Sequence, residues 1–298
     1  MRDGLLVIDK PGGRTSRDVL NHVQRWFPRK TKIGHTGTLD PLATGVLVVC
    51  IGAATRLADF VQAMEKSYAS RFRLGATSTT DDADGTIRVN ESAVPPSREA
   101  IDAALGSLVG TIEQFPPAFS ALKVDGRRAH DLARRGADVP LAPRAVTIHA
   151  IRVQSYEWPF LEVEIDCGKG TYVRSIARDL GAKLGVGGMV QTLRRTRVGP
   201  FTAEQGIGLE ATPEGAFAKV LPMTAALAGM PLVGISAAAE ERLRRGQVIA
   251  YPDGWTPPEH VEEVAVLDER GELIGVGEID RGIRPRIVLA KAGKSARG

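Results

Sequence analysis

Near the N-terminus the chain reads Gly34-His35-Thr36-Gly37-Thr38-Leu39-Asp40-Pro41-Leu42-Ala43-Thr44-Gly45. Three glycines and a proline rule out a regular helix here. Glycine populates positive φ and allows close backbone approach, whereas proline fixes φ and lacks an amide hydrogen. Directly after it comes Val46-Leu47-Val48-Val49-Cys50-Ile51, an apolar, β-branched run of strand length. An irregular, stiffened loop therefore feeds a buried strand, and Asp40 stands in the middle of that loop. Two roles fit such a carboxylate. It is either a turn aspartate accepting backbone N–H bonds or a functional acid on a rigid support.

The chain has 298 residues, of which 43% are hydrophobic and 25% charged, enough for a large domain or two with a full core. A net charge of +4 is a mild bias toward polyanionic partners. The two cysteines, Cys50 and Cys167, lie in strand-like segments without zinc or disulfide spacing, so both read as reduced core residues. No segment is apolar for long enough to cross a bilayer, and Met1-Arg2-Asp3-Gly4-Leu5 does not open a signal peptide. A cytoplasmic protein is expected.

Taken in order, residues 5–9 read as a strand and Lys10-Pro11-Gly12-Gly13 as a turn. Thr15 can cap a helix with Asp18 three positions on, its apolar face made of Val19, Leu20, Val23 and Phe27, and Pro28 ends it. Arg25, Arg29, Lys30 and Lys32 form a basic approach to His35, either a solvated face or a set of phosphate contacts. Residues 55–64 suggest a helix, and Lys66-Ser67-Tyr68 opens an alternating strand to Leu74. Asp81-Asp82-Ala83-Asp84-Gly85 lacks the distal glutamate of a calcium loop and reads as a hairpin turn at Asp84-Gly85. Ser97 caps a helix to Leu105, a strand covers 111–114, and a hairpin near 120–128 leads into a basic helix ending at Arg134-Arg135-Gly136. Strands follow at 146–153 and 161–166. Thr171 is placed to cap a helix that carries Tyr172 and Arg174 in its first turn, and 187–199 is a strand bearing Arg194, Arg195 and Arg197. Residues 203–230 have an alanine-rich helical texture and read as a linker packed on the main domain. A helix at 240–247 and short strands at 264–267, 272–278 and 286–289 suggest a small β-barrel. Residues 291–298 read as a disordered tail.

The run from Gly34 through Leu47 resembles the catalytic motif of the TruB family of pseudouridine synthases. Further stretches are similar to that family as well. They are Lys10-Pro11 with Gly13, Thr15-Ser16 and Asp18; the acidic turn; the hairpin from Ser120 to Arg128; Gly170-Thr171-Tyr172-Val173-Arg174-Ser175-Ile176-Ala177-Arg178-Asp179-Leu180-Gly181; and 187–199. One departure is His130, where the family pattern has tyrosine. The resemblance implies an α+β, pseudouridine-synthase fold: a mixed, largely antiparallel central sheet with flanking helices in residues 1–230, followed by a small PUA-like β-barrel RNA-binding domain in 231–290. It implies isomerisation of the uridine at position 55 in the T-loop of tRNA, by base flipping and without a cofactor or metal. Asp40 then falls on the catalytic aspartate, and Arg174 on the cation that keeps it ionised. Tyr68 falls on the pocket tyrosine that stacks on the uracil and assists removal of the C5 proton, Tyr172 and His35 on contacts to the flipped nucleotide, and Leu193 on the pocket wall. Arg25, Lys30, Lys32, Arg127, Arg128, Arg194 and Arg195 become candidate contacts to the RNA backbone. The expected partner is tRNA, bound by a monomer with no obligatory protein partner. The alternative is an RNA-binding or tRNA-folding module whose catalysis is secondary or lost.

Overall fold

A run apolar at every position, as at 46–51, needs cover on both faces, and the fold supplies it. The computed structural model describes residues 3–119, 123–124, 127–128 and 141–289. The expected basic helix, His130 and the tail lie outside the described residues, as do the side chains of Arg127 and Arg128. In chain order the strands are β1 (Gly4–Lys10), β2 (Ile33–His35), β3 (Thr44–Ile51), β4 (Lys66–Leu74), β5 (Ala76–Ser78), β6 (Ile87–Val89), β7 (Gly110–Gln114), β8 (Lys123–Val124) and β9 (Arg127–Arg128). They continue with β10 (Arg144–Glu157), β11 (Phe160–Cys167), β12 (Gly188–Val198), β13 (Phe201–Thr202), β14 (Leu232–Gly234), β15 (Glu263–Leu267), β16 (Leu273–Ile279) and β17 (Ile283–Val288). The helices are α1 (Ser16–Val23), α2 (Ala58–Ala63), α3 (Arg98–Gly106), α4 (Val173–Lys183), α5 (Pro213–Ala218) and α6 (Ala237–Arg244).

The central sheet runs β1-β3-β12-β4-β11-β10-β7, with β2 added to β3 and β13 to β12. Only the β12–β3 pair in it is parallel, so the sheet is mixed and largely antiparallel, as expected. Leu47, Val49 and Ile51 of β3 face one core cluster together with Val19, Leu20 and Phe72, while Val46, Val48 and Cys50 face a second with Leu57 and Val61. That double burial explains the unbroken apolar run. β4 alternates instead. Lys66, Tyr68, Ser70, Phe72 and Leu74 are buried and the residues between them are not, the pattern of a strand with one covered face.

Local chemistry accounts for several boundaries. Thr15 and Asp18 form a reciprocal capping box on α1, and Ser97 accepts from the Ala100 amide at the start of α3. The helix at 55–64 is split into a 3-10 segment, Gly52–Leu57, and α2. Residues 203–230 are partly helical, as short pieces: a 3-10 turn at Ala203–Gln205, α5, and a 3-10 segment at Met223–Leu227. Leu221 exchanges backbone hydrogen bonds with Leu5 of β1, and Ile207 donates to Val7 O and accepts from the Asp9 amide, so pairing with the β1 edge falls between these helical pieces and keeps them short. In the last part, β14-β15-β16-β17 form a four-stranded sheet, and Ile249 bridges to Ile283 of β17. One side of it builds its own cluster with Leu243 of α6. Its other side contributes Ala265, Leu273 and Val276 to the cluster under β3.

α4 is seated on β12 by two glycines. A Cβ at Gly181 would lie 2.1 Å from the Gly188 nitrogen, and one at Gly188 would lie 2.2 Å from the Ala177 oxygen. Both obstacles are backbone and cannot rotate away. In an open helix Gly→Ala gains about 1 kcal/mol of propensity. Gly181→Ala is expected to do the reverse and lower stability by about 1–3 kcal/mol, measured by urea denaturation. A more stable variant would contradict this packing.

Candidate active site

Asp40 projects from the loop joining β2 to β3, and that loop is tied down on both sides of it. The Ser16 hydroxyl accepts the Leu39 amide (2.9 Å) and donates to the Leu39 carbonyl (3.0 Å). The Gly13 amide donates to the Pro41 carbonyl (2.8 Å). Lys10, fully buried, donates from Nζ to the carbonyls of Arg14 (2.6 Å), Pro11 (2.9 Å) and Pro41 (3.3 Å). Gly45, with φ of +97°, closes the loop where no side chain fits, since a Cβ would lie 2.1 Å from the Arg195 oxygen.

Arg174 comes from the first turn of α4. Its side chain is only 4% exposed, and its Nη2 lies 2.9 Å from Oδ2 of Asp40, whose side chain is 33% exposed. Nη1 faces Oδ2 of Asp82 at 3.4 Å, and Asp82 is as buried as the arginine. Backbone carbonyls complete the cage. Thr80 O accepts from Nη1 (2.9 Å) and Phe119 O from Nη2 (3.0 Å). Among the described residues Nε has no hydrogen-bond partner. Burial pushes the Asp82 carboxyl above the usual range, while its bond from Thr80 and the Arg174 charge pull it down. The predicted cap from Thr171 is absent, because its hydroxyl donates to Gly168 O (3.2 Å). The α4 N-cap is Tyr172. The buried Gln114 of β7 clamps it by accepting the Tyr172 amide (2.8 Å) and donating to its carbonyl (3.2 Å).

These groups share one cavity of about 530 Å³ lined by Asp40, Tyr68, Tyr172, Arg174, Leu193, Arg195, Lys66 and the 168–171 turn. Tyr68 enters from β4. Desolvation raises its pKa above the ordinary phenol value, and Arg195, hydrogen-bonded to the phenol, pulls it back in part. At neutral pH the side chain is therefore a phenol, a flat apolar wall with one donor. His35 sits in β2 just ahead of the lining, with Nδ1 accepting the Gly37 amide (3.4 Å), and is not among the residues that wall the cavity.

The basic residues fall into different places. Arg25, Arg29, Lys30 and Lys32 are exposed, and Lys32 lies at the Gly52 end of β3, away from the Thr44 end that follows Asp40. Arg194 is half-exposed and paired with Asp9 through both nitrogens (3.0 and 2.9 Å). Arg195 corrects the expectation of a surface backbone contact. It is 3% exposed and donates to Val46 O (2.7 Å) and Gly37 O (3.1 Å), so it reaches only what enters the cavity. The sequence by itself assigns no individual role to Asp82, Ser16 or Gln114. For Asp82 the one available signal was the acidic cluster itself.

The sheet and the site together place the chain in the pseudouridine-synthase fold class. A chain from a Cbf5-Nop10-Gar1 complex matches it with TM-score 0.70 and 25% identity, covering 96% of this chain and 84% of that one. A chain from an H/ACA RNP bound to a substrate RNA containing 2′-deoxyuridine has TM-score 0.70 at 24% identity, covering 96% and 85%. Residues 25–173 match the family model for the TruB family pseudouridylate synthase N-terminal domain, and residues 174–215 match that for the tRNA pseudouridylate synthase B C-terminal domain. Curated relatives called tRNA pseudouridine synthase B are 42% identical in Cupriavidus metallidurans, over 95% of this chain and 92% of the relative, and 41% identical in Thermobifida fusca, over 97% and 99%. The chain belongs to the TruB family.

The two buried lysines give the fold a pH dependence. Burial lowers the pKa of Lys66, whose Nζ donates to Gln62 O and Met64 O (both 2.5 Å), from 10.5 to about 8, and does the same to Lys10. Between about pH 8 and 10.5 the unfolded chain holds more protons than the folded one, so stability from this source rises with pH through that window. Lys66→Met is expected to flatten the rise, measured by urea denaturation on both sides of pH 8. An unchanged slope would contradict the assignment.

Proposed function

We propose that this chain isomerises uridine 55 in the T-loop of tRNA to pseudouridine, as a cytoplasmic monomer needing no cofactor and no protein partner. The observation that carries the reading is the Asp40–Arg174 pair on the floor of a cavity whose wall is the Tyr68 ring. The names of the relatives at 41 and 42% identity support tRNA as the substrate.

The reaction breaks the N1–C1′ bond, turns the uracil, joins C5 to C1′ and moves a proton from C5 to N1, with no net redox change. A base stacked in an RNA loop is out of reach of such a cavity, so the nucleotide must be extruded into it. Asp40 then stands beside the sugar. Its carboxylate either attacks C1′, with uracil leaving as the anion, or takes the C2′ proton to assist elimination. Both routes need the anion, and Arg174 pairs with that carboxylate at 2.9 Å. Tyr68 stacks on the detached base and keeps it from leaving. As a phenol it is not a base at rest, and accepting the C5 proton needs the Arg195 charge beside its oxygen. Leu193 and Tyr172 supply the remaining walls.

Binding rests on phosphates, with loop shape adding selectivity. The exposed Arg25, Arg29, Lys30 and Lys32, which precede the Asp40 loop in sequence, suit that purpose. Residues 231–290 form the PUA-like RNA-binding unit of this reading.

Purified protein is expected to release tritium from a C5-tritiated tRNA transcript with no other component added. Asp40→Asn is expected to abolish release, a loss of at least about 10³-fold, while tRNA binding in a filter assay persists. Binding by the unaltered protein without release would favour a tRNA-folding module.

A further inference from the structure

Arg178 lies one helical turn after Arg174 on the same face of α4. It is not among the residues lining the cavity. Its guanidinium donates to Asp81 Oδ2 from Nη1 (3.0 Å), to Asp179 Oδ1 from Nε (2.9 Å) and to Phe115 O from Nη2 (2.9 Å). Two arginines a turn apart thus hold consecutive residues of one loop, Arg178 taking Asp81 and Arg174 taking Asp82.

The pattern extends to a second loop. Residues 115–119 begin at Phe115, whose carbonyl also accepts from Ser175 Oγ (2.8 Å), and end at Phe119, whose carbonyl accepts from Arg174. Both backbone segments that cage the Arg174 guanidinium are therefore fastened to α4 by Arg178. Asp81 itself has φ of +60°, a left-handed conformation that non-glycine residues hold only when their surroundings enforce it. Its amide donates to Ser78 O (3.2 Å) and its carbonyl accepts from Val190 (3.0 Å), so the main chain is held at both ends and the carboxylate points at Arg178. Burial favours the protonated form of Asp81, and Arg178 is the chief opposing charge.

We propose that Arg178 and Asp81 are positioning residues of the isomerisation. Their ion pair fixes loop 79–86 and the 115–119 segment so that the Arg174 guanidinium presents Nη2 to Asp40. Neither side chain touches the nucleotide. The inference rests on the activity proposed above and adds two residues to it.

The test is single-turnover tritium release from C5-tritiated tRNA with enzyme in excess, alongside tRNA affinity and melting temperature. Asp81→Asn tolerates the left-handed backbone and removes the charge, and Arg178→Gln removes the cation. Each is expected to slow release by about 10- to 100-fold, the scale of a small misplacement of a catalytic group, with the tRNA Kd changed by less than about twofold. The double variant is expected to be no slower than the slower single one, because both changes break the same pair, and Arg178→Lys is expected to recover part of the rate. Should Asp81→Asn fail to fold, Asp81→Gly carries the test, since glycine holds that φ without strain. Single variants that react at the unaltered rate would overturn the proposal. So would losses of rate matched by losses of affinity, or losses that multiply in the double variant. If the unaltered protein releases no tritium, the activity itself is refuted and the positioning role falls with it.

Discussion

A guanidinium sealed away from water is the constraint on which this structure turns. A charge that deep must be paired and hydrogen-bonded, and removing one partner of such a pair costs about 3–5 kcal/mol. Arg174 meets that demand with two carboxylates and two backbone carbonyls, drawn from three separate parts of the chain. Asp82 is buried with it and Asp40 is partly open to the cavity. The arginine is therefore held from behind by Asp82 while its front nitrogen holds the Asp40 carboxylate. What sets the position of the Asp40 carboxylate is also what the fold cannot release cheaply.

The same economy governs the other buried cations. Lys10, Lys66 and Arg195 donate to main-chain carbonyls: Lys10 to the turn at Arg14, Lys66 to Gln62 at the end of α2, and Arg195 to Val46 of β3 and Gly37 of the loop. The cations lack bulk water, and these carbonyls supply the hydrogen bonds that water would otherwise make. The consequence for function is stiffness. The Asp40 loop is held through Leu39, Pro41 and Gly37, and the carboxylate between these points has little freedom to wander when a nucleotide enters.

Much of this was legible in the residues. The run at 46–51 announces a strand covered on both sides, Thr15 and Asp18 announce a capped helix, and the stretch around Asp40 carries its own signature. What stayed hidden depended on contacts across long separations. Asp82 sits in a stretch with the composition of a turn, and only its approach to a residue 92 positions on (174 − 82) gives it a role. Thr171 looks like a cap, yet its hydroxyl turns back to Gly168 O, and Gln114 from another strand holds the Tyr172 backbone at the helix start. Arg194, Arg195 and Arg197 look alike in sequence, but β-bulges in β12 near Gln191 and Thr196 shift the alternation. Arg195 is left facing the interior, whereas Arg194 pairs with Asp9. Bulges carry no dependable local signature.

The central claim is that Arg174 holds an ionised Asp40 against the sugar of an extruded nucleotide. A crystal structure of the protein with a T-stem-loop RNA carrying 5-fluorouridine at the target position tests it most directly. The account predicts a pyrimidine against the Tyr68 ring, an Asp40 carboxylate oxygen within about 3.5 Å of the sugar carbon that bears the base or bonded to the nucleotide, and Arg174 still alongside that carboxylate. A target base left in the RNA stack, or an Asp40 turned away from Arg174 and the sugar, would contradict it.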